Sequence, residues 1–548
     1  MIGGDSDVLS VKTYKCSITF ILLIGLWFWA SDWKGKTGSA VGKNNALVAS
    51  EIKLCLEEER LPWPYLEQDV NLLYQHRNYA PVWYSNGILR EEAARLLQQF
   101  DQVQSIGLTK QAFPIARIRA DITNFDRPCS PDHAHQARTD VRLSAAALIY
   151  LSQVKYGIVR SHQIWTAADD STARKQLLNE FLNLCCAFEQ TLQVYKPQCI
   201  QYLWFEQYIT HWWKLWRQFE GKCAEYSNDL SFVVSDPVLE ELVSQLLRWT
   251  GFYWNDERDI TVYLDELLPA YFASKQVDEM SLYQLKWYLY QDFEATMAKI
   301  QLNLDRLKTS APVGKDYIWI NIPASELIVF DNDFPIRRHF IVVGAPRTPT
   351  PVISGPMAEV ISFPRWNIPK SIVINEITPA MRRNPGYLAK KGYELVDWYG
   401  NPLEPDDVDW DEINKDYVPF RVIQEPGYMN ALGVMKFNFI NKYSIYLHDT
   451  NAKSYFKREN RALSHGCIRV ENPLELAKYL LSEYSYKSFR EQLIDQTTGH
   501  YRVDKKLQVY LRYLTCTANA DGEAVFYKDI YRKDEADLRK LWACLPKW

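Results

Sequence analysis

A histidine and a cysteine near residue 450 are of the types that form a thiol nucleophile and its base. His448 lies in the segment 446–450, and Cys467 follows in the segment 464–470. A cysteine attacks a carbonyl carbon as its thiolate, and an adjacent imidazole is the usual proton acceptor near neutral pH. The pattern predicts acyl transfer, with Cys467 as the nucleophile and His448 as the proton acceptor and donor.

The residues next to this pair suit the same chemistry. Gly466 has no side chain directly before the nucleophile, so a substrate can approach the backbone there. The N–H groups of Gly466 and Cys467 are therefore expected to stabilise an oxyanion. Asp449 follows the histidine, and its carbonyl or its side chain is expected to orient the ring.

Four further residues are candidates for substrate binding. Arg469 is a permanent cation, suited to a substrate carboxylate or to bracing the site. His465 stands close to the nucleophile and is expected to brace the turn. Tyr446 shares a strand face with His448, and Ser464 opens the segment that holds the cysteine.

Other interpretations of these residues remain open. Taken singly, a cysteine is most often a small buried apolar residue, and a histidine or arginine usually has a structural role. A zinc site built from His448, His465 and Cys467 lacks a fourth ligand at close spacing. The sequence therefore gives little support to a zinc site.

Length and composition bound the class of protein. The chain has 548 residues, 24% charged and 47% hydrophobic, which is typical of a globular protein with about three or four folded units. Its net charge of -4 offers no general attraction to polyphosphate, so nucleic acid is excluded as the principal partner. The ten cysteines include no C-x-x-C pair, and their spacing does not reveal any disulfide.

The N-terminal half has the three- and four-residue apolar spacing of helices. Residues 46–230 are predicted to form a helical domain, and residues 236–310 a second helical unit that ends in a connector helix over 282–307. Four aromatic residues at four-residue steps, from Trp204 to Trp216, form the strongest stripe. We predict that this stripe is a buried helix face rather than a sugar-stacking or membrane-facing surface.

After residue 312 the periodicity changes to that of strands. Residues 312–548 are predicted to be mainly β, and a strand is expected over 371–375. Residues 377–425 lack a sustained period, as expected for a long loop or lid. The fold class predicted for the chain is multidomain α+β.

An apolar run near the N-terminus is predicted to insert into a membrane. Residues 16–33 are predicted to be an uncleaved membrane anchor, with residues 1–15 on the cytoplasmic side. A cleaved signal peptide is the alternative. The lysines on both sides of the run do not determine its orientation.

Several motifs resemble those of the L,D-transpeptidases, bacterial enzymes with a YkuD-type catalytic domain. His448 and the sequence Ser-His-Gly-Cys over 464–467, followed by Arg469, resemble the active-site signature. The resemblance to the large, membrane-anchored, multidomain branch found in Gram-negative bacteria extends to further segments, which are 74–83, 239–285, 350–351, 366–372, 426–437 and 521–531.

This resemblance implies a function and a location. The implied architecture is a helical scaffold domain, a degenerate peptidoglycan-binding-like unit and a YkuD-type catalytic domain with a capping insertion over 377–425. Trp366 and that insertion would close over the substrate. The implied reaction passes through a thioester on Cys467 and makes 3→3 crosslinks between peptidoglycan tetrapeptide stems. It requires no metal and no organic cofactor. The implied location is the bacterial inner membrane, with the body in the periplasm, and carbapenem-type inhibitors are expected to acylate Cys467.

Two alternatives to crosslinking are carried forward. A thiol hydrolase would pass the acyl group to water and trim stems or break crosslinks. A membrane-anchored wall-binding scaffold would keep the helical half while its catalytic domain is inactive. The presence of both His448 and Cys467 in their motif argues against the inactive scaffold.

Overall fold

A computed structural model describes residues 40–58, 61–123, 132–167, 170–184, 194–225, 236–249, 264–277, 281–505, 507–520 and 523–546. The predicted cytoplasmic segment 1–15 and the predicted anchor 16–33 lie outside these ranges. Within the ranges, none of the helices has the length and apolarity that a bilayer crossing demands.

The N-terminal half is helical, as predicted. Its α-helices are Ala40–Glu58, Glu67–His76, Glu91–Asp101, Ile115–Thr123, His133–Tyr156, Ile158–Thr166, Ser171–Leu184, Ile200–Cys223, Pro237–Trp249, Leu264–Ser274 and Leu282–Lys308. A short hairpin, β1 (Tyr84–Ser85) with β2 (Ile88–Leu89), interrupts them. The connector helix predicted over 282–307 is confirmed, and the observed helix Leu282–Lys308 ends one residue later.

A buried carboxylate organises the first helical core. Asp140 accepts hydrogen bonds from the Tyr74 hydroxyl at 2.5 Å and from the backbone N–H groups of Val82 at 2.9 Å and Trp83 at 2.7 Å. Such bonds compensate a carboxylate for the loss of water. The motif at residues 74–83 therefore has a structural role: it fixes this segment of the chain against the helix His133–Tyr156.

The aromatic stripe of the helix Ile200–Cys223 is largely buried, which confirms its prediction as a core face. Tyr208 and Trp216 are buried, whereas Trp204 and Trp212 are partly covered. This helix shares a core with the helices 237–249, 264–274 and 282–308 and with side chains on the back of the β-sheet. The second core thus includes the end of the predicted 46–230 domain and binds the helical half to the sheet.

The C-terminal half is built on one large sheet. Its strands are β3 (Tyr317–Asn321), β4 (Glu326–Asp331), β5 (Phe334–Gly344), β6 (Ile353–Ser362), β11 (Met435–Phe439), β12 (Tyr446–His448), β13 (Ala462–Ser464), β14 (Ile468–Val470), β15 (Gly499–Arg502) and β16 (Gln508–Arg512). β6 pairs with both β11 and β16, so the sheet closes on itself around an apolar core. A hairpin of β17 (Cys516–Ala518) and β18 (Ala524–Phe526) follows, and helices span Pro473–Leu480, Glu483–Asp495 and Asp534–Ala543.

The capping insertion is a folded unit with its own core. A four-stranded sheet joins β7 (Trp366–Asn367), β8 (Tyr393–Val396), β9 (Pro402–Leu403) and β10 (Arg421–Gln424). Short helical segments, Lys370–Ile372, Val373–Ile377, Thr378–Arg383 and Tyr387–Lys391, cover it. The strand predicted over 371–375 is therefore wrong, because these residues are helical and pack Ile372 and Val373 into the core of the insertion. The unit also begins at Trp366, earlier than the predicted loop over 377–425.

Candidate active site

The strand register places the predicted catalytic residues on one face of the sheet. β12 and β14 are parallel, with Leu447 opposite Ile468 and His448 opposite Arg469. Leu447 and Ile468 are fully buried in the core, so the alternate residues face outward. Cys467, directly before Ile468, consequently shares the outer face with His448. A strand rise of ~3.3 Å and a strand spacing of ~4.8 Å put their Cα atoms roughly 8 Å apart.

The backbone fixes the tautomer of the histidine. Nδ1 of His448 lies 2.5 Å from the carbonyl oxygen of Asp449. A carbonyl oxygen only accepts, so Nδ1 carries the proton and Nε2 is the basic nitrogen. The predicted orienting role of Asp449 is performed by its carbonyl rather than by its carboxylate.

The carboxylate of Asp449 holds the turn before β11 instead. It accepts a hydrogen bond from the N–H of Val434 at 3.0 Å and forms an ion pair with Lys453. Gly433 has a φ of +59°, and a Cβ added there would lie 2.3 Å from the Asp449 carboxylate. The turn therefore requires glycine at 433, both for its backbone conformation and for space.

Burial keeps both members of the pair uncharged at rest, and nearby cations add to this effect for His448 alone. Burial, followed by the charge of Arg469, lowers the pKa of His448 to about 3. Burial also raises the pKa of the Cys467 thiol, although hydrogen bonds from Tyr446 and the charge of Lys436 act in the opposite direction. The free protein thus holds a thiol beside a neutral imidazole, which is a base able to accept the thiol proton.

Ser464 ties the turn that presents the cysteine. Its hydroxyl donates to the carbonyl of Cys467 at 2.6 Å and accepts the N–H of Gly466 at 3.1 Å. Gly466 has a φ of +115°, a conformation that favours glycine. Its N–H is already engaged by Ser464, which differs from the oxyanion role predicted for it. Ser464 acts on the position of the nucleophile rather than on the substrate.

Replacing Ser464 by Ala is expected to slow acylation of Cys467 about tenfold or more, because the nucleophile loses its fixed position. The free energy of unfolding should fall by about 1–3 kcal/mol, since a buried N–H loses its partner. Acylation rates and urea unfolding measure the two effects. Ser454→Ala, at an exposed serine in the loop before β13, is the control and should change neither. Wild-type acylation in the Ser464 variant would contradict the bracing role.

Two residues distant in sequence brace the same turn. The hydroxyl of Thr350 donates to the carbonyl of Gly466 at 2.8 Å and accepts the N–H of Gly344 at 2.8 Å. The hydroxyl of Tyr531 in turn accepts the N–H of Thr350 at 3.1 Å and donates to the carbonyl of Gly344 at 2.7 Å. Segments 350–351 and 521–531 both belong to the sequence resemblance, and these bonds give residues 350 and 531 a physical role.

Tyr446 is the central side chain of the outer face. Its hydroxyl and its backbone N–H both donate toward the sulfur of Cys467, and its ring lies edge-on to His448 with centroids 5.7 Å apart. Trp366, the first residue of the cap, lies beside the same hydroxyl. Lys436 lies over the ring, with Nζ 4.1 Å from the centroid. Lys436 was not among the predicted site residues.

The two remaining predicted residues flank the nucleophile differently. Arg469 lies over the ring of Tyr455 at 5.3 Å, and no carboxylate among the described residues forms an ion pair with it. His465 is half-exposed and contacts the carboxylate of Glu376 in the cap. Arg469 is thus available to a ligand, whereas His465 connects the nucleophile turn to the cap.

The cap is tied to the sheet at a neck. The side-chain amide of Asn430 donates to the carbonyls of Pro364 at 3.2 Å, Gln424 at 3.1 Å and Glu425 at 2.9 Å. Arg365 pairs with Glu425 at 2.7 Å. These bonds join the two ends of the insertion, so Trp366 is held in place beside the nucleophile.

Other ligand chemistry finds little support in the described part of the chain. There, no group of three or more histidine, cysteine, aspartate or glutamate side chains is placed to hold a metal ion. Cys199, Cys223, Cys516 and Cys544 have free thiols, and burial raises the pKa of each. Cys467 differs from them in sharing the outer face of the β12–β14 strand pair with the imidazole of His448.

Comparisons with known proteins agree with this arrangement. Residues 315–505 match the family model of the L,D-transpeptidase catalytic domain, YkuD, and residues 68–208 match that of a scaffold domain. A protein of Haemophilus influenzae named "Putative L,D-transpeptidase" is 34% identical over 254 residues, which are 46% of this chain and 51% of that protein. The similarity therefore spans about half the length of this relative. The chain thus combines a helical N-terminal region, part of which matches a scaffold-domain model, with a β-rich C-terminal region that matches the model of the YkuD L,D-transpeptidase catalytic domain.

Proposed function

We propose that the protein is a cysteine-dependent L,D-transpeptidase that makes 3→3 crosslinks between peptidoglycan stem peptides. In the first half-reaction, Cys467 attacks the carbonyl of the third residue of a tetrapeptide stem. The thiol proton passes to Nε2 of His448, a carbon–sulfur bond forms, and the carbon–nitrogen bond to the terminal D-Ala breaks. His448 then returns its proton to the leaving amine.

The second half-reaction resolves the thioester. The side-chain amine of a diaminopimelate residue on a neighbouring stem attacks the acyl carbon, and its proton passes through His448 to the departing thiolate. The backbone N–H of Cys467 is our candidate for stabilising the oxyanion in both steps, since that of Gly466 donates to Ser464. Every group in this scheme belongs to the protein or to the two stems.

The observation that carries the proposal is the fixed histidine beside the thiol. Nδ1 is committed to the Asp449 carbonyl, so Nε2 is the available base, and Cys467 shares the outer face of the adjacent strand. An inactive scaffold would not require a buried imidazole kept neutral next to a thiol. The arrangement therefore favours an acyl-transfer enzyme over a wall-binding scaffold.

The residues around the pair suggest how a stem is held. Arg469 lies next to His448 across the strand pair and is suited to a stem carboxylate. Trp366 and Tyr446 form the wall toward the cap, which would cover a stem on the outer face of the sheet. His465 supports the cap through Glu376 rather than binding the stem.

The proposed substrate also determines the proposed location. Peptidoglycan stems lie outside the inner membrane, so the catalytic body belongs in the periplasm. We propose that residues 16–33 anchor it there as a single pass, with residues 1–15 in the cytoplasm. Their apolar composition supports insertion into the membrane, and the location of the substrate is our reason for the orientation.

Acylation by a carbapenem tests the nucleophile directly. The purified protein is incubated with the antibiotic, and intact-mass spectrometry is followed by peptide mapping. We expect one adduct per chain on the peptide that contains Cys467, and none in Cys467→Ala. Absence of an adduct from the folded wild-type protein would favour the inactive scaffold.

Product analysis separates crosslinking from hydrolysis. Purified tetrapeptide stems are incubated with the protein, and the products are resolved by mass spectrometry. Dimers joined through two third residues support the proposal. Tripeptides without dimers would identify the thiol hydrolase instead.

A further inference from the structure

Lys436 places a partly buried positive charge on the face that carries the nucleophile. In the register of β11 and β12, Lys436 lies opposite His448, and Phe437 lies opposite Leu447 in the core. Its ammonium lies 4.1 Å from the centre of the Tyr446 ring. Tyr446 separates it from Cys467 by one strand, and the hydroxyl of Tyr446 donates toward the sulfur. The ammonium is therefore held close to the reacting atom.

This ammonium has little compensation for the water it has lost. No carboxylate among the described residues forms an ion pair with Lys436. Glu359, on the same face, is close enough to attract the ammonium, but its carboxylate bonds to Asn438 at 2.6 Å and to His500 at 3.2 Å. The Tyr446 ring supplies a cation–π contact, which replaces only part of the hydration. A partly buried cation with no directly paired carboxylate is suited to a negative charge that appears during the reaction.

The other charged groups near Cys467 do not supply this charge at the same position. Arg469 follows Cys467 by two residues, opposite His448, and its guanidinium lies over Tyr455. Lys453 is paired with the Asp449 carboxylate, and the contact of His465 with Glu376 lies on the cap side. His448 becomes cationic only after it has taken the thiol proton. Lys436 is charged before that transfer occurs.

We propose that Lys436 is the fixed positive charge that stabilises the Cys467 thiolate as it forms. The proposal rests on the proposed role of Cys467 as nucleophile and adds the group that lowers the free energy of ionising its thiol. The proton moves from the sulfur to Nε2 of His448, and Lys436 keeps its own proton throughout. Its ammonium acts through the field at the sulfur, with the Tyr446 ring holding it in position.

The pH dependence of thiol alkylation tests this role. Iodoacetamide is uncharged, so its rate reports the thiolate population rather than the attraction of an anionic substrate. The rate at Cys467 is measured from pH 6 to 10 by peptide mass spectrometry. In Lys436→Met and Lys436→Gln we expect the midpoint to rise by about one pH unit and the rate at pH 7.5 to fall about tenfold. Lys436→Arg, which keeps the charge, should recover most of the rate.

A lysine in a similar contact provides the control. Nζ of Lys442 lies 5.1 Å from the ring of Tyr443, but this residue is exposed in the turn between β11 and β12. Lys442→Met should leave the profile of Cys467 unchanged. Removing a cation that forms no direct ion pair should not unfold the protein, which circular dichroism and thermal melting verify.

The outcomes separate this inference from the proposed function. Profiles of Lys436→Met and Lys436→Gln that coincide with wild type would overturn the role of Lys436, whatever the protein does to peptidoglycan. A shifted profile, restored by arginine, supports it even where the product assay yields only tripeptides. A loss of rate without a shift in midpoint would indicate blocked access to the sulfur and would also overturn the inference.

Discussion

Cells that rely on a Cys467→Ala variant for 3→3 crosslinking are expected to contain none of these crosslinks. In the proposed reaction the sulfur of Cys467 forms the covalent intermediate, and no other described thiol shares the strand pair with His448. Removal of a covalent nucleophile typically lowers turnover by 10⁴-fold or more. Mass-spectrometric analysis of the muropeptides from such cells measures the effect. The Cys467→Ala change removes only the sulfur atom of a partly exposed side chain, so the fold should remain intact.

A second cysteine variant serves as the control for this experiment. Cys544 is a partly exposed cysteine with a free thiol, just after the C-terminal helix Asp534–Ala543, where it packs against the first helical core. Cys544→Ala should retain wild-type crosslinking. Undiminished 3→3 crosslinks in Cys467→Ala cells, with the variant protein folded and present, would refute the assignment of the nucleophile.

The placement of His448 and Cys467 on one face of the sheet could be predicted because its signal is local. Tyr446 and His448 alternate with buried Leu447, as Cys467 alternates with buried Ile468. A period of two assigns each residue to a face without any knowledge of the strand order. Parallel pairing of the two strands then brings the outward residues together.

The structure of the cap could not be predicted in the same way. The run at 371–375 contains three β-branched residues, which favour a strand when considered alone. In the protein it is helical, because Ile372, Val373 and Ile377 then share a face that packs into the core of the insertion. Tertiary packing decides between the two structures for so short a run.

The residues that brace the site are equally hidden in the sequence. The bond from Thr350 to Gly466 joins residues 116 apart, and that from Tyr531 to Gly344 joins residues 187 apart. Lys436 has an ordinary alternating position on β11, and only pairing with His448 reveals its location. Each of these roles depends on the order of the strands in the sheet. The hydrophobic periodicity of a single segment does not reveal that order.

The cores of the helical half also differ in extent from the predicted domain ranges. The helix Ile200–Cys223 packs with the helices that follow it, and Gln201 bonds to the Tyr317 hydroxyl at 3.0 Å on the back of the sheet. Arg306, near the end of the connector helix, pairs with Asp534 and Asp537 at 2.8 Å. The helical units therefore support the catalytic sheet from behind and leave its outer face to the cap.

The low pKa of His448 leads to a prediction about acid pH. An imidazole with an ordinary pKa near 6.5 would be largely protonated at pH 5, and a reaction needing it neutral would slow about 30-fold. Here burial and the charge of Arg469 lower that pKa to about 3, so His448 stays neutral as pH falls from 7 to 5. Acylation by a carbapenem should therefore show no loss with a midpoint near 6.5.

The same shift lowers stability in acid. Between pH 6.5 and about 3 the unfolded chain binds a proton at residue 448 that the folded protein does not, so this residue makes the free energy of unfolding decrease as pH falls. Urea unfolding at pH 7 and pH 5 measures it. In His448→Gln, which cannot titrate, the decrease should be smaller than in wild type.

Removing the imidazole should have the second-largest effect on the reaction. In His448→Gln the thiol has no base to accept its proton, and we expect acylation to slow by about 10²- to 10⁴-fold between pH 6 and 8. The loss should diminish above pH 9, because there hydroxide produces the thiolate without the imidazole. His500→Gln is the control, since His500 lies on the same outer face but is exposed and bonds to Glu359. A His448 variant with the pH profile of wild type, reduced only by a constant factor, would mean that the imidazole positions the substrate and that another group takes the proton.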